Sequence, residues 1–375
     1  MALVCPYSLS RPGGVQGQVL GLARSLHRLG HDVTVFAPVD RIEDVPEGIG
    51  FVPTGHSVAL RANGSVAPVS VSPPAAITAL RRLRALRPDV VHIHEPFAPG
   101  LPYVLLTAHG VPPLVGTFHR SGGSVLYSLL SPLTRRLARR LAARCAVSAA
   151  AAATATAALG GSFEVLFNGI EVDRFAGVEP WPVEGPTALF LGRHEDRKGL
   201  AILLEAWEQV VAPGGRASTA GGPPVLWVAG DGPETARLRL RHPESDSVHW
   251  LGVLGEDEKV RRLVAAQVLA APALGGESFG MVLLEAMAAR TVVVASDIDG
   301  YRDAAGGRAV LAAPGDPVAL ARALRGVLDG DLAGGGAGRE AWLEAGADRA
   351  GQWSMAELAG RYEALYTAVM VGGGS

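Results

Sequence analysis

The sequence predicts an α/β protein built from two Rossmann-like halves, and three observations support this prediction. The chain has 375 residues, which is long for one hydrophobic core and fits two domains of ordinary size. Hydrophobic residues make up 48% and charged residues 19%, as in a soluble α/β protein rather than a disordered one. Short apolar runs alternate with helix-like segments on both sides of a proline-containing stretch at residues 179–186, which we take as the linker.

Charge and cysteine content exclude several classes of protein. The formal net charge of −2 offers no general attraction for nucleic acid, so we expect no nucleic-acid partner and only local anion sites. Cys5 and Cys145 form no CxxC or metal-ligand pattern, which is typical of a reducing compartment. The sequence shows no signal peptide and no run long and apolar enough to span a bilayer, so we expect a cytoplasmic protein.

A glycine-rich turn joins the first strand to the first helix. Residues 2–7 form an apolar run, Gly13 and Gly14 follow in the turn, and a helical pattern continues to about residue 29. Glycines in such a turn let the backbone approach an anion closely. The turn is not a GxGxxG with an acidic residue about twenty positions on, so a nicotinamide-dependent oxidoreductase is not favoured.

Residues 75–86 predict a helix that carries Arg81, Arg82 and Arg84. A basic helix of this kind can lie on an anionic membrane surface such as the inner face of the plasma membrane, although arginines on a solvated face fit the same pattern.

Three histidines occur at the ends of two predicted strands. Alternation along the strand at residues 89–94 places His92 and His94 on one face, where histidines packed at a strand end are favoured over a metal pair without a third ligand. His119 ends the strand at residues 114–119, at the edge where ligands of α/β proteins bind. A helix is predicted from about residue 125 to residue 143.

The second half contains a charged loop, LGRHEDRKG, at residues 191–199. Arg193 follows a predicted strand and Lys198 precedes a helix, so both side chains are expected at the upper edge of the sheet. There they can neutralise a diphosphate, although alternating charges also suit an ordinary solvated loop.

The chain is organised around residues 275–288, GGESFGMVLLEAMA. We predict a helix that opens at Ser278 as N-cap, with Glu277 at its mouth and Glu285 about two turns on, near the same side. Amides at the helix start attract a diphosphate and the carboxylates accept hydrogen bonds from hydroxyls, which suits a sugar nucleotide. An ordinary amphipathic helix is the alternative.

The motifs together resemble the retaining GT-B glycosyltransferases of family 4, and in particular the actinobacterial phosphatidylinositol mannosyltransferases. The resemblance spans nearly the whole chain and rests on residues 4–8, 12–16, 92–96, 117–119, 168–169, 192–199, 230–232 and the E-x7-E segment at 275–288. It implies a GT-B fold, with two Rossmann-like domains facing across a cleft that closes over the donor. It also implies an N-terminal acceptor domain at residues 1–180, completed by the helix at 354–371, and a nucleotide-sugar domain at residues 181–353.

The resemblance also implies roles for individual residues. Donor binding falls to Gly13, Gly14, Arg193, Lys198, Leu254, Glu277, Phe279, Gly280, Met281 and Glu285. Glu277 matches the acid that binds the donor sugar, Glu285 the acid that binds ribose, and His119 the histidine beside the transferred sugar. His119, Glu277, Arg193 and Lys198 form the implied catalytic set, which moves mannose from GDP-mannose to inositol by front-face attack without a metal or other cofactor.

The acceptor side departs from the family pattern. Tyr7, Gln16 and Asn63 match its acceptor pocket. Phe97, Pro68 and Ser124 stand where the mannosyltransferases carry Asn, Arg and Lys, and Arg120 is the residue that can replace one missing cation. Loss of two phosphate-facing cations alters acceptor choice, since each charge-assisted hydrogen bond contributes about 1.5 to 3 kcal/mol.

Three functions therefore remain in view. The first is a GDP-sugar-dependent transferase acting on a phosphatidylinositol-like lipid, and the second a related enzyme with a small soluble acceptor. The third is a sugar-nucleotide sensor without turnover.

Overall fold

The computed structural model describes residues 1–11, 13–41, 48–62, 65–119, 131–212, 222–277, 279–330, 332 and 337–372. Two compact units make up the chain, one of Met1–Gly169 with Met355–Ser375 and the other of Ile170–Ser354. The sequence placed the change of domain at residue 180. In the structure Ile170 already belongs with the second unit, where its N–H donates to the carbonyl of Trp353.

A parallel sheet forms the centre of the first unit. Within the described residues it has seven strands, in the order β3-β2-β1-β6-β7-β8-β9, beside a separate antiparallel hairpin of β4 and β5. The strands are β1 (Ala2–Val4), β2 (Thr34–Ala37), β3 (Gly50–Pro53), β4 (Val58–Ala62), β5 (Ser65–Val69), β6 (Val91–His94), β7 (Leu114–Phe118), β8 (Leu141–Ala146) and β9 (Glu164–Val165). Fully buried β1 and β6 place the site residues that follow them at the carboxyl edge of the sheet.

Helices cover this sheet, and the last one comes from the end of the chain. They are α1 (Gly14–Arg28), α2 (Pro73–Leu86), α3 (Leu101–Thr107), α4 (Ser131–Ala138), α5 (Ala149–Leu159) and α13 (Met355–Gly372). Ser72 caps α2 by accepting from the N–H of Ala75, and prolines that suit a first turn follow it. Tyr362 and Tyr366 of α13 are fully buried within the unit.

One helix prediction in the first unit was wrong. The sequence predicted a helix to residue 143, but α4 ends at Ala138 and residues from Leu141 onward form β8, parallel to β7. The buried Cys145 and Ala146 explain the strand, because pairing with β7 places their apolar side chains in the core. Residues 120–130, where this helix was expected to begin, lie outside the described residues.

The second unit repeats the strand and helix alternation. Its described residues form a six-stranded parallel sheet in the order β12-β11-β10-β13-β14-β15. The strands are β10 (Thr187–Leu191), β11 (Val225–Ala229), β12 (Val248–Gly252), β13 (Val268–Ala271), β14 (Val292–Ser296) and β15 (Val310–Ala312). The helices are α6 (Leu200–Val211), α7 (Thr235–Arg241), α8 (Glu256–Ala265), α9 (Met281–Ala288), α10 (Asp299–Ala305), α11 (Pro317–Leu328) and α12 (Ala337–Gly351). Trp207 of α6, 1% exposed, anchors the core of this unit.

None of the described helices combines the length and the hydropathy that crossing a bilayer requires.

Candidate active site

The loop after β10 and the loop after β13 meet through one carboxylate. Nζ of Lys198 lies 2.6 Å from Oε1 of Glu277, and Nη1 of Arg197 lies 2.6 Å from the same oxygen. The Glu277 side chain is only 12% exposed, so these ion pairs are partly shielded from water. Lys198 and Glu277, which were both predicted to contact the donor, therefore form one cluster with Arg197, which the sequence prediction omitted.

Arg193 joins this cluster through Glu195. Its Nε lies 2.7 Å from Oε1 of Glu195, whose other oxygen lies 3.0 Å from Nε of Arg197. The Arg193 side chain is 66% exposed, so it is the most accessible cation of the set. Arg193, Arg197 and Lys198 together present positive charge beyond the carboxyl end of β10.

Backbone contacts hold the two loops together. The N–H of Leu274 donates to the carbonyl of Arg197 at 2.8 Å. Gly199 adopts φ +70°, and a Cβ at this position would lie 1.9 Å from the carbonyl oxygen of Pro272. Only glycine permits this close approach, which brings Lys198 next to the segment that carries Glu277.

The loop after β11 packs against the loop that carries Arg193, Arg197 and Lys198. The N–H of His194 donates to the carbonyl of Asp231 at 3.1 Å, and Nδ1 of His194 lies 2.8 Å from Oγ1 of Thr235. A Cβ at Gly230 would lie 1.9 Å from the carbonyl oxygen of Gly192. The Gly-Asp-Gly segment thus packs directly against the backbone on either side of Arg193.

The predicted start of helix α9 was wrong by two residues, because the N-cap is Gly280 and not Ser278. Helix α9 begins at Met281, and Gly280 is its N-cap with φ +62°. This left-handed conformation cannot continue a right-handed helix, so the chain turns at Gly280 instead of extending the helix to Ser278. Ser278, the predicted cap, lies outside the described residues. Glu277 therefore does not share a helix with Glu285.

The residues around this turn are fixed by aromatic contacts. The Phe279 ring lies 4.6 Å from that of Trp353 between centroids and is 8% exposed. A Cβ at Gly280 would lie 2.8 Å from Cδ1 of Tyr301. Phe279 and Gly280 thus lie just before α9 and Met281 begins it, at the end of the helix whose dipole favours anions.

Glu285 belongs to a separate ion-pair network on α8 and α9. Nζ of Lys259 lies 2.8 Å from Oε1 of Glu285 and 3.6 Å from Glu256, and Arg174 lies 3.0 Å from Glu256. Burial by itself would lower the pKa of Lys259, but Glu285 and then Glu256 outweigh it and raise that pKa above its ordinary value. Leu254 is half-buried just before α8.

In the first unit His119 follows β7 and contacts a second histidine. Nδ1 of His94 lies 2.8 Å from Nε2 of His119, and Oε1 of Glu95 accepts the backbone N–H of His119 at 2.7 Å. Burial lowers the pKa of His119 to about 4, so its ring is neutral near neutral pH.

Two tyrosines of α13 form hydrogen bonds close to these histidines. Nδ1 of His92 lies 2.7 Å from the hydroxyl of Tyr366, and its Nε2 lies 2.7 Å from Oγ1 of Thr117. The hydroxyl of Tyr362 lies 2.8 Å from the same Thr117 oxygen. His92 and His94 are therefore buried, hydrogen-bonded histidines, which agrees with the packed arrangement favoured from the sequence.

The remaining predicted residues of the first unit lie around the turn before α1. Gly13 is the N-cap of α1, and a Cβ there would lie 2.5 Å from Oε1 of Gln16, whereas Gly14 faces open space. Nε2 of Gln16 donates to the carbonyls of Ser8 and Arg11 at 3.2 and 3.0 Å, so this predicted acceptor residue holds the turn itself. Tyr7 forms a bridge with Val69.

Two predicted acceptor residues, Asn63 and Arg120, lie outside the described residues. Among the residues that are described, no group of three or more histidine, cysteine, aspartate or glutamate side chains is arranged to hold a metal ion.

Sequence reasoning missed Arg197, Lys259 and the tyrosines of α13. Arg197 lies within the quoted charged loop, so its place beside Lys198 was the available signal. Lys259 lies three residues after Glu256, a spacing that brings side chains together on a helix. Tyr362 and Tyr366 gave no such signal, because their partners are distant in sequence.

Comparison with known proteins accounts for both halves of the chain. Residues 12–174 match Glycosyltransferase Family 4, and residues 185–330 match Glycosyl transferases group 1. The chain is 36% identical over 341 residues to the phosphatidyl-myo-inositol mannosyltransferase of Mycolicibacterium smegmatis, covering 88% of this chain and 85% of that protein. It is 35% identical over 383 residues to the protein of that name from Mycobacterium leprae, covering 100% and 98%.

Solved structures agree on the fold. The crystal structure of a glycosyltransferase from Rickettsia africae superposes with a TM-score of 0.73 at 16% identity, covering 98% of both chains. The prediction of a GT-B fold with two Rossmann-like domains is thereby confirmed. The chain belongs to the family 4 glycosyltransferases, in the family of the phosphatidyl-myo-inositol mannosyltransferases.

Proposed function

We propose that this glycosyltransferase moves mannose from GDP-mannose to the inositol ring of a phosphatidylinositol-like acceptor, with retention at the anomeric carbon. The observation that carries the proposal is the 35% identity to a named phosphatidyl-myo-inositol mannosyltransferase over 98% of its length. The cluster of Arg193, Arg197, Lys198 and Glu277 supports the same assignment, because it combines cations for a diphosphate with a carboxylate for a sugar hydroxyl.

The second unit supplies the groups for the donor. As the bond between C1 of mannose and the diphosphate oxygen breaks, negative charge grows on the diphosphate. Lys198, Arg193 and the amides at the mouth of α9 stabilise that charge, and stabilisation that increases toward the transition state raises the rate. Glu277 accepts from a mannose hydroxyl and Glu285 from the ribose hydroxyls.

Retention follows from attack on the face of the leaving group. The acceptor hydroxyl oxygen forms the new bond to C1, the bond to the diphosphate breaks, and the hydroxyl proton passes to a diphosphate oxygen. Glu277 is not assigned the role of nucleophile, because Arg197 and Lys198 already hold one of its oxygens. The protein thus contributes positioning and charge stabilisation rather than a covalent intermediate.

A small soluble acceptor is the second candidate, and the acceptor side of the first unit favours it. The resemblance implies that Phe97 replaces an Asn of the mannosyltransferases, and its ring lies 6.2 Å from that of Phe118 between centroids. It also implies that Pro68 replaces an Arg, and the carbonyl of Pro68 accepts from the N–H of Ser8 at 2.8 Å. Neither side chain offers a cation to a lipid phosphate.

The deciding experiment is product analysis by mass spectrometry on the purified full chain. GDP-mannose, GDP-glucose and UDP-glucose are each offered with phosphatidylinositol vesicles or with free myo-inositol and inositol phosphate. Mannosylated phosphatidylinositol from GDP-mannose alone supports the proposal, and a product only with soluble acceptors supports the second candidate. Absence of transfer from every donor refutes both. Unchanged turnover in EDTA is expected, since no metal is assigned a role.

Peripheral contact with an anionic membrane belongs to the same proposal. The buried face of α2 packs into the first unit through Ala76, Ala79, Leu80 and Leu83, which leaves Arg81 and Arg82 exposed. Arg84 is also exposed and donates to the carbonyl of His109 at 2.6 Å. Each basic residue near an anionic surface contributes about 1 kcal/mol to binding.

Vesicle co-sedimentation tests this contact. The double variant Arg81→Gln with Arg82→Gln should bind phosphatidylinositol vesicles roughly 10- to 30-fold more weakly, as the loss of two such charges requires. A matched double variant, Arg308→Gln with Arg322→Gln, removes two exposed arginines of the second unit. If both double variants bound the vesicles equally well, α2 would be excluded as the part of the protein that contacts the membrane.

A further inference from the structure

Three histidines of the first unit contact one another in series. The ring centroids of His92 and His94 lie 4.2 Å apart, and those of His94 and His119 lie 5.1 Å apart. Burial lowers the pKa of His92 to about 3 and of His119 to about 4, and it lowers the pKa of His94 well below its ordinary value. Each ring is therefore neutral near neutral pH and carries one proton on one of its two nitrogens.

The contact between His94 and His119 holds a single proton. Nδ1 of His94 and Nε2 of His119 are 2.8 Å apart, so one nitrogen donates and the other accepts. If His94 donates, the proton of His119 lies on Nδ1. If His119 donates through Nε2, the proton of His94 lies on its own Nε2.

The buried nitrogen of His94 decides between these arrangements. His94 is 1% exposed, and no described residue lies within hydrogen-bond reach of its Nε2. An orphaned buried N–H is rarer and more costly than an acceptor left without a donor. Nε2 of His94 is thus the bare nitrogen, and the His94 proton lies on Nδ1 and points at His119.

The groups around the three rings hold His92 in place and leave the rings neutral. His92 is held from both nitrogens by Tyr366 and Thr117 and packs against His94. Among the described residues, the other titratable groups around the three rings are Glu95 just after β6, Cys145 on β8 with a thiol pKa raised by burial to about 12, and Tyr362 and Tyr366 on α13 with pKa values raised by burial. Apart from Glu95, whose carboxylate holds the backbone N–H of His119, these groups are neutral near neutral pH.

We propose that His94 is a positioning residue for His119, because its Nδ1–H donates to Nε2 of His119 and so makes Nδ1 of His119 a hydrogen-bond donor to the transferred sugar. This inference rests on the proposed function, which gives His119 its place beside the sugar. It assigns His119 the role of a neutral donor that orients a sugar hydroxyl. A donor in this state cannot also take the proton of the acceptor, which is consistent with transfer of that proton to the leaving diphosphate.

The tautomer is measured directly by ¹⁵N NMR on the full chain labelled at histidine, without any turnover. The ¹⁵N chemical shift separates a protonated ring nitrogen from a bare one, and His94→Asn and His119→Asn variants assign the signals. A protonated Nδ1 and a bare Nε2 on His119 are expected near neutral pH. A protonated Nε2 on His119, or a doubly protonated ring, would overturn the inference.

A matched pair of substitutions tests the effect on catalysis. Asparagine and leucine have nearly the same shape, but only asparagine retains an N–H donor close to the position of Nδ1. We expect His94→Leu to lower kcat about 10- to 100-fold, with little change in KM for GDP-mannose, because a misplaced catalytic group costs about that much. We expect His94→Asn to recover most of the loss.

Two further readouts separate a positioning role from a structural one. Burial alone lowers the pKa of His119, and leucine keeps the ring buried, so the kcat of His94→Leu should stay below that of the wild type by the same factor at about pH 6 and about pH 8. His109→Leu, at an exposed histidine of the same unit, should leave kcat and its pH profile unchanged. Equal kcat values for His94→Leu and the wild type would contradict the proposal. Absence of transfer by the wild type would instead refute the proposed function and leave the NMR test intact.

Discussion

Lys198 and Glu277 are joined by a contact of 2.6 Å between Nζ and Oε1, although 79 positions separate them in the chain. Arg197 contacts the same oxygen, so the carboxylate is anchored at one corner. Both of these cations contact Oε1, so among the described residues Oε2 is the oxygen left for the sugar hydroxyl that we propose Glu277 to bind. It also means that the cation proposed for the diphosphate and the acid proposed for the sugar depend on each other for their positions.

Replacing Lys198 by methionine should weaken donor binding and turnover together. Loss of one charge-assisted contact to the diphosphate is expected to raise KM for GDP-mannose roughly 10- to 100-fold. kcat should fall as well, because Glu277 loses one of its two anchors. Arg322→Met removes an exposed cation of the same unit and should leave both constants unchanged in steady-state assays. A Lys198→Met enzyme with normal KM and kcat would exclude the assigned role.

Gly199→Ala should separate the two loops without altering any charged side chain. The new Cβ would meet the carbonyl oxygen of Pro272 at 1.9 Å, so the backbone beside Lys198 must move away from the loop of Glu277. A left-handed alanine alone costs about 1 to 2 kcal/mol. Gly177→Ala is the matched control, because φ is +67° there and no atom lies within 4 Å of the Cβ position.

Both glycine variants should lose thermal stability, but only Gly199→Ala should also lose affinity for GDP in isothermal titration. Equal affinities for the two variants would show that the close approach at Gly199 does not position the donor site.

Much of this architecture could be predicted from local signals. Strand and helix alternation predicted the parallel sheets, since buried strands such as β13 are apolar throughout. The prediction of a helix at residues 125–143 was wrong because Leu141 to Ala146 pair with β7, and pairing with a distant strand overrides local propensity. The predicted start of α9 was wrong because a serine suits an N-cap. The left-handed conformation of Gly280, which ends the preceding turn, can be seen only in the backbone of the structure and not in the sequence.

The arrangement of the candidate site was predictable where its residues share a motif and unpredictable where they do not. Arg193 and Lys198 lie in one loop, so the sequence alone groups them as candidates, whereas the contact of Arg197 with Glu277 joins two loops. The partners of His92 lie on α13, 274 positions away for Tyr366, and no periodicity connects them. Such contacts follow from the packing of the terminal helix, which sequence spacing cannot reveal.

The ion pair of Lys259 with Glu285 should stabilise the second unit. Their side chains are 17% and 19% exposed, so Lys259→Met leaves a partly buried carboxylate without its cation. We expect the free energy of unfolding to fall by about 1.5 to 3 kcal/mol in urea denaturation near pH 7. Lys259→Arg keeps the charge and should recover part of this loss. No change in the midpoint for Lys259→Met would show that the pair is energetically neutral.

The same pair gives a pH dependence at the alkaline end. The folded-state pKa of Lys259 lies above its unfolded value of 10.5, so its stabilising contribution is complete below that value. It is lost as pH rises through the folded pKa. The stability gap between wild type and Lys259→Met, compared by urea denaturation at about pH 8 and about pH 11, should therefore narrow at the higher pH. A constant gap would contradict the raised pKa.

The buried histidines set the opposite dependence at acid pH. His92 and His119 have folded-state pKa values of about 3 and about 4, below the unfolded value of 6.5. Between the folded and unfolded values the unfolded chain therefore binds more protons than the folded one. The free energy of unfolding must fall as pH falls through this window, and the fall begins near pH 6.5, before most carboxylates titrate.

His92→Gln should reduce this acid sensitivity, because glutamine keeps hydrogen-bonding groups for Thr117 and Tyr366 but does not titrate. Each buried histidine contributes at most about 2 kcal/mol to the difference in unfolding free energy between about pH 7 and about pH 5. We measure the free energy of unfolding by urea denaturation at the two pH values. Its fall from about pH 7 to about pH 5 should be smaller in His92→Gln than in the wild type, by up to that amount. His56→Gln is the control, since His56 is 87% exposed and should leave the difference unchanged. If the difference were the same in His92→Gln and in the wild type, His92 would not be held neutral by burial. The inference that His92, His94 and His119 are all neutral near neutral pH would then be wrong.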